Sequence, residues 1–127
     1  MKKTKNIKNV ARGINNKRIG NINEKLSAEY VSNHPEIYGN EPRVHIPNKT
    51  AFVAVDIYGL WDLLVVPTPP SEKEKYSWPS TLIQTKTNKM PTSEYLLKLI
   101  KFSVPSYFRK ELHIWHTGKD EPEILEL

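Results

Sequence analysis

Apolar positions along the chain change their period twice. From Ile19 to Val31 they recur in steps of three and four residues (Ile19, Ile22, Leu26, Tyr30), which predicts one amphipathic helix. Asn33-His34-Pro35 ends it, because proline disfavours helical geometry in the residue before it. Between Pro35 and Pro47, turn-forming residues alternate with short apolar pieces, and Arg43-Val44-His45-Ile46 is a candidate strand. The period then shortens to that of β structure, with apolar, β-prone runs at 51–55, 62–66 and 81–86, the second entered through Gly59-Leu60-Trp61. Residues 67–80 hold four prolines and a charged tip and read as a long connection. Thr92 or Ser93 then caps a helix with Tyr95, Leu96, Leu99 and Ile100 on one face, and Pro105 closes that region. Residues 111–116 form a further strand, 117–120 a turn and 123–127 a last strand. The predicted order is α-β-β-β-α-β with one strand more. This is a mixed α/β fold without internal repeats.

Length and composition add limits to that outline. At 127 residues, with 38% hydrophobic and 26% charged positions, the chain supports one domain with a core that needs no staples. Cysteine is absent, so disulfides, thiolate metal sites and a cysteine nucleophile are excluded. Four histidines are too scattered for a zinc cage. No segment approaches the roughly 20 apolar residues that span a bilayer, and no apolar stretch follows the basic start as in a secretory signal. The expected location is the cytoplasm, away from membranes.

Charge divides the chain unevenly. Residues 1–18 carry Lys2, Lys3, Lys5, Lys8, Arg12, Lys17 and Arg18 and no acid. The remaining 109 residues hold 12 basic and 14 acidic side chains, so the net +5 comes from this arm. An N-terminal arm at 1–18, expected to be disordered, therefore precedes a near-neutral domain at 19–127. Such an arm suits a polyanion, since neutralised phosphates release condensed counterions; a solubilising tail has the same composition. Lys17, Arg18 and, in the loop before the apolar run at 51–55, Lys49 are the candidate nucleic-acid contacts.

The residues that suggest chemistry are an acid leading one β run and a Gln-x-Lys within the next. Alternate strand residues share a face, so Gln84 and Lys86 point one way and Thr85 the other. Asp62 reaches the Gln84 face if the two strands pair. The Asp62 carboxylate, the Gln84 amide oxygen and the Thr85 carbonyl are hard oxygen donors suited to Mg²⁺ or Mn²⁺. Lys86 would neutralise charge developing on a phosphate or position the attacking water.

The stretches GLWDLLVV and LIQTKTNK resemble the G-x-x-D…(E/Q)-x-K core of the PD-(D/E)XK nuclease superfamily, most closely its Holliday-junction-resolvase-like branch. GNINEKLSAE resembles the opening helix of that branch, whose glutamate helps hold the metal or its water. The resemblance covers roughly residues 19–117. It implies a restriction-endonuclease-like α-β-β-β-α-β core and a Mg²⁺-dependent DNA endonuclease, with branched DNA as the substrate its resolvase-like branch suggests, working as a homodimer. By its pattern Asp62 and Gln84 bind the metal, Lys86 assists the hydrolytic water and Glu24 completes the site. Glutamine replaces the usual acid at 84, Trp61 replaces the proline before Asp62, and 21 residues separate Asp62 from Gln84. On an ideal helix Glu24 points away from the apolar stripe of Ile22 and Leu26 while Glu29 lies near it, so either glutamate is a candidate.

Other residues have structural readings. Asp56 is a turn residue or a second carboxylate near the site. His113 and His116 share a strand and point to opposite faces, which argues against a common metal. Trp61 and Trp115 are core residues before they are stacking platforms. Two rival functions remain: a catalytically inactive nucleic-acid-binding module on the same fold, which the neutral Gln84 favours, and a protein-interaction domain in which Asp62 and Lys86 lie far apart.

Overall fold

A computed structural model describes residues 20–47, 57–58, 60–68 and 78–127. Helix α1 occupies 20–32 and is followed by a four-residue helix α2 (Pro35–Tyr38), with Pro35 at its start, where a missing N–H costs nothing. Strands β1 (Arg43–His45), β2 (Leu63–Val66) and β3 (Ser80–Thr87) come next, then α3 (Ser93–Lys101), β4 (Phe108–Trp115) and β5 (Glu123–Glu126). The strands form one mixed sheet in the order β1-β2-β3-β4-β5. Among the described strands only β3 and β4 run parallel, paired over eight residues from Ser80↔Phe108 to Thr87↔Trp115, and α3 makes the crossover that a parallel pair requires.

Period-two alternation splits the core into two layers. Leu63, Val65 and Ile83 pack with Val31 and Tyr38 on the α1–α2 face. Leu82 packs with Trp61 and Leu99 on the α3 face, joined by Tyr95, Phe102 and Phe108. Thr92 caps α3, its hydroxyl accepting from Tyr95 N at 3.2 Å. The other end of α3 is closed from a distance: buried Lys110 Nζ donates to the carbonyls of Leu99 (3.0 Å), Ile100 (2.6 Å) and Phe102 (2.8 Å). These bonds satisfy carbonyls that a helix terminus leaves unpaired, and burial lowers the pKa of this ammonium. Gly39, at φ +88°, is a required glycine: a Cβ there would meet Pro67 Cβ at 3.0 Å.

Several expectations need correction. The buried positions of α1 are Asn23, Glu24, Ser27 and Val31, whereas Ile22 is 49% exposed. The helix is rotated away from its apolar stripe because a polar face finds partners on the sheet. Ile100 is exposed, and Phe102 takes its place against the α3 layer. Strand β4 begins at Phe108, three residues earlier than predicted. The strand expected at 51–55, Asp56, Gly59, most of the 67–80 connection and the basic arm lie outside the described residues. Among the described residues no helix is long and apolar enough to cross a membrane.

Candidate active site at the start of β2

The antiparallel register Leu63↔Ile83 brings the residue before β2 alongside the second half of β3. Asp62 N donates to Ile83 O at 2.9 Å, fixing the backbone there. The Asp62 side chain, 6% exposed, turns back onto β3: its Oδ2 accepts from Thr85 N and from Thr85 Oγ1, both at 2.9 Å. Gln84 is also buried, and the end of its carboxamide lies 3.3 Å from Asp62 Oδ2 and 2.6 Å from the Leu60 carbonyl. Both neighbours only accept, so hydrogen bonding assigns the amide nitrogen to that position. Turning the amide over would instead gather three oxygens there: a carboxylate, an amide and a backbone carbonyl.

Lys86 lies two residues after Gln84 on the same strand face, and its Nζ stands 5.9 Å from the centroid of the Tyr95 ring on α3. Asp62, Gln84 and Thr85 are thus in mutual contact, with Lys86 next along the strand. The expected split of β3 also holds: Thr87, on the Thr85 face, accepts from Asn23 Nδ2 of α1 at 2.6 Å. That bond places the first turns of α1 over the C-terminal end of β3. Glu24 is buried and lines a cavity of about 140 Å³ with Asn21, Lys25, Ile46 and Pro47. Glu29 is exposed. The expectation that Glu24 points away from the buried side is therefore reversed, for the same reason that Ile22 is exposed. Lys17, Arg18 and Lys49 lie outside the described residues.

A second polar cluster, which sequence patterning did not reveal, is buried on the α1 face of β4. Trp115 Nε1 donates to Ser27 Oγ (2.8 Å), Ser27 Oγ meets His113 Nδ1 (3.0 Å), His113 Nε2 meets Glu111 Oε1 (3.1 Å), and Tyr38 OH donates to the same Oε1 (2.7 Å). His113 Nε2 carries a proton, because its partner only accepts. Burial alone would raise the Glu111 pKa, but bonds from His113 and Tyr38, with Arg109 nearby, hold it below the usual carboxylate range. Burial, then the bond to Glu111, pushes the Tyr38 phenol well above its ordinary value. Serine, histidine and glutamate in a row suggest a nucleophile, yet Ser27 and His113 are 0% exposed, so substrate cannot reach the hydroxyl. The only sequence signal was the i, i+2 spacing of Arg109, Glu111, His113 and Trp115. His116 points the other way and meets Glu123 Oε2 at 2.8 Å on the surface. Among the described residues no three His, Asp or Glu side chains are grouped to hold a metal ion.

Comparison of the chain with family profiles, curated proteins and solved structures gives no match.

Proposed function

We propose that the protein is a divalent-metal-dependent nuclease acting on DNA, with its site at Asp62, Gln84 and Lys86. The observation that carries this reading is the contact of the Asp62 carboxylate with the Gln84 and Thr85 positions of the Gln-x-Lys strand. Asp62 Oδ2 and the Leu60 carbonyl both accept from the Gln84 amide nitrogen, and a bound cation would need that amide to turn its oxygen toward them. This donor set is all oxygen and fits Mg²⁺ or Mn²⁺. Asp62 and the Gln84 amide, with the Leu60 carbonyl beside them and the Thr85 carbonyl as a further backbone oxygen on that strand, would hold the ion, which when bound polarises a phosphodiester and activates water. The chain's own groups then have separate tasks. Asp62 is oriented by Thr85 N and Oγ1. Lys86 supplies a cation for charge developing on the phosphate. Glu24 lies on α1, which packs on the Thr85 and Thr87 face of β3, so it would join this set only around the end of the strand. The observed order α1-α2-β1-β2-β3-α3-β4-β5, with β1 at Arg43–His45 in place of the run at 51–55, and the adjacency of Asp62 to the Gln-x-Lys strand support the resemblance to the PD-(D/E)XK nucleases. A homodimer on branched DNA belongs to the same proposal.

One observation favours a second reading, a nucleic-acid-binding module without chemistry. Asp62 Oδ2 already accepts two bonds from Thr85, as a purely structural aspartate would. A labelled panel of four-way junction, flap, duplex and single strand separates the two. The nuclease reading expects cleavage with Mg²⁺ or Mn²⁺ that Asp62→Ala and Lys86→Ala each reduce by at least about a hundredfold. Salt-sensitive binding with no cleavage in either metal would leave only the binding module.

A further inference from the structure

We infer that Tyr95 is a positioning residue of the candidate site, holding the Lys86 ammonium and the Leu60 carbonyl together from the surface of α3. The inference rests on the nuclease reading for its consequence, but its geometry stands apart from that reading. The Tyr95 ring centroid is 5.9 Å from Lys86 Nζ, within the range where a ring quadrupole attracts a cation. Its hydroxyl donates to Leu60 O at 3.3 Å. This is the same carbonyl that lies 2.6 Å from the end of the Gln84 carboxamide. One side chain therefore touches the cation on β3 and the backbone leading into Asp62.

Each contact is individually weak; together they tie the Lys86 ammonium to the acceptor that the Gln84 amide also meets. A lysine on a half-buried strand end has several rotatable bonds, and ordering it carries an entropic cost that a ring face offsets. The Leu60 carbonyl belongs to a tight turn closed by the Ile57–Trp61 bridge, so a bond to its oxygen sets the direction in which that acceptor points. The anchor itself is firm. Thr92 caps α3 at one end and Lys110 binds its carbonyls at the other, so the helix does not depend on the Tyr95 hydroxyl.

The test uses the full chain and two variants, Tyr95→Phe, which keeps the ring, and Tyr95→Leu, which removes it. Isotope-labelled Lys86 should show ε-methylene protons moved upfield by the ring relative to exposed Lys89. Tyr95→Phe should keep that shift while moving the Leu60 carbonyl ¹³C resonance; Tyr95→Leu should abolish the shift and move the carbonyl. In cleavage assays Tyr95→Leu should lower kcat by about tenfold with KM within about twofold, and Tyr95→Phe by less. A Lys86 resonance unchanged in a folded Tyr95→Leu protein overturns the inference, as does a raised KM at constant kcat. If the wild-type chain cleaves nothing while the resonances respond as described, the nuclease reading falls and the placement of Lys86 by Tyr95 stands.

Discussion

On β4, Glu111 and His113 sit in a hydrogen-bonded chain that runs from Trp115 through Ser27 to Tyr38, and each contact pairs a donor with an acceptor. At the start of β2, a similarly buried carboxylate accepts from Thr85 N and Oγ1 and from the Gln84 amide, which also donates to the Leu60 carbonyl. Both clusters use polar side chains under 10% exposed. The difference lies in the donors: ring N–H and O–H groups packed in the core on β4, against a primary amide at the start of β2 that can present its nitrogen or its oxygen. A carboxylate beside such an amide is what a hard cation would use. For that reason the Ser-His-Glu row, which looks more catalytic on paper, is the structural cluster, and the plainer Asp-Gln pair is the candidate site.

The largest effect that separates the two regions is on stability. Glu111→Ala leaves His113, Tyr38 and Arg109 facing an empty acceptor position in the core. It should destabilise the protein by about 3–5 kcal/mol in urea unfolding. A loss below about 1 kcal/mol would mean that the β4 chain does not fasten α1 and α2 to the sheet.

Gln84→Glu sharpens the comparison from the other side. It places a second carboxylate against Asp62 Oδ2 and Leu60 O, so without divalent cation the variant should lose about 1–3 kcal/mol. Millimolar Mg²⁺ or Mn²⁺ should then raise its Tm more than that of the wild type, since a ligand that binds only the folded state stabilises it. Equal shifts for the two proteins would remove the cation from the argued role of this cluster.

The smallest effect is on the acid limb of stability. The Glu111 carboxyl is held below its ordinary value in the folded protein, so unfolding raises its proton affinity. Its contribution is fully present above the unfolded carboxylate range near pH 4.5 and fades as pH falls toward the folded value. Urea midpoints measured between pH 3 and pH 6 should therefore slope less in Glu111→Gln than in wild type. Parallel slopes would place the acid sensitivity elsewhere.

Strand chemistry could be read along the chain because it depends on neighbours. The alternation of Gln84, Thr85 and Lys86 follows from period-two geometry, and apolar spacing with a cap at Thr92 or Ser93 announces α3, where Thr92 is the cap. That Asp62 would meet the Gln-x-Lys strand was conditional on the two runs pairing, and the antiparallel β2–β3 register supplies that pairing. The orientation of α1 was not legible in this way. Apolar periodicity selects Ile22 and Leu26, yet the helix buries Asn23, Glu24 and Ser27. Thr87 partners Asn23 across 64 residues, and His113 and Trp115 partner Ser27 across 86 and 88.

By itself the sequence determined the strand faces and the start of α3, and it named Asp62, Gln84 and Thr85 as candidate oxygen donors. These follow from spacing, local backbone preference and side-chain chemistry. Only the tertiary structure decided which glutamate of α1 is buried, which end of the Gln84 amide faces Asp62, and that Ser27, His113 and Glu111 are sealed from solvent. Those outcomes depend on donors and acceptors supplied by distant segments, and a buried polar group takes its orientation from the partner it meets.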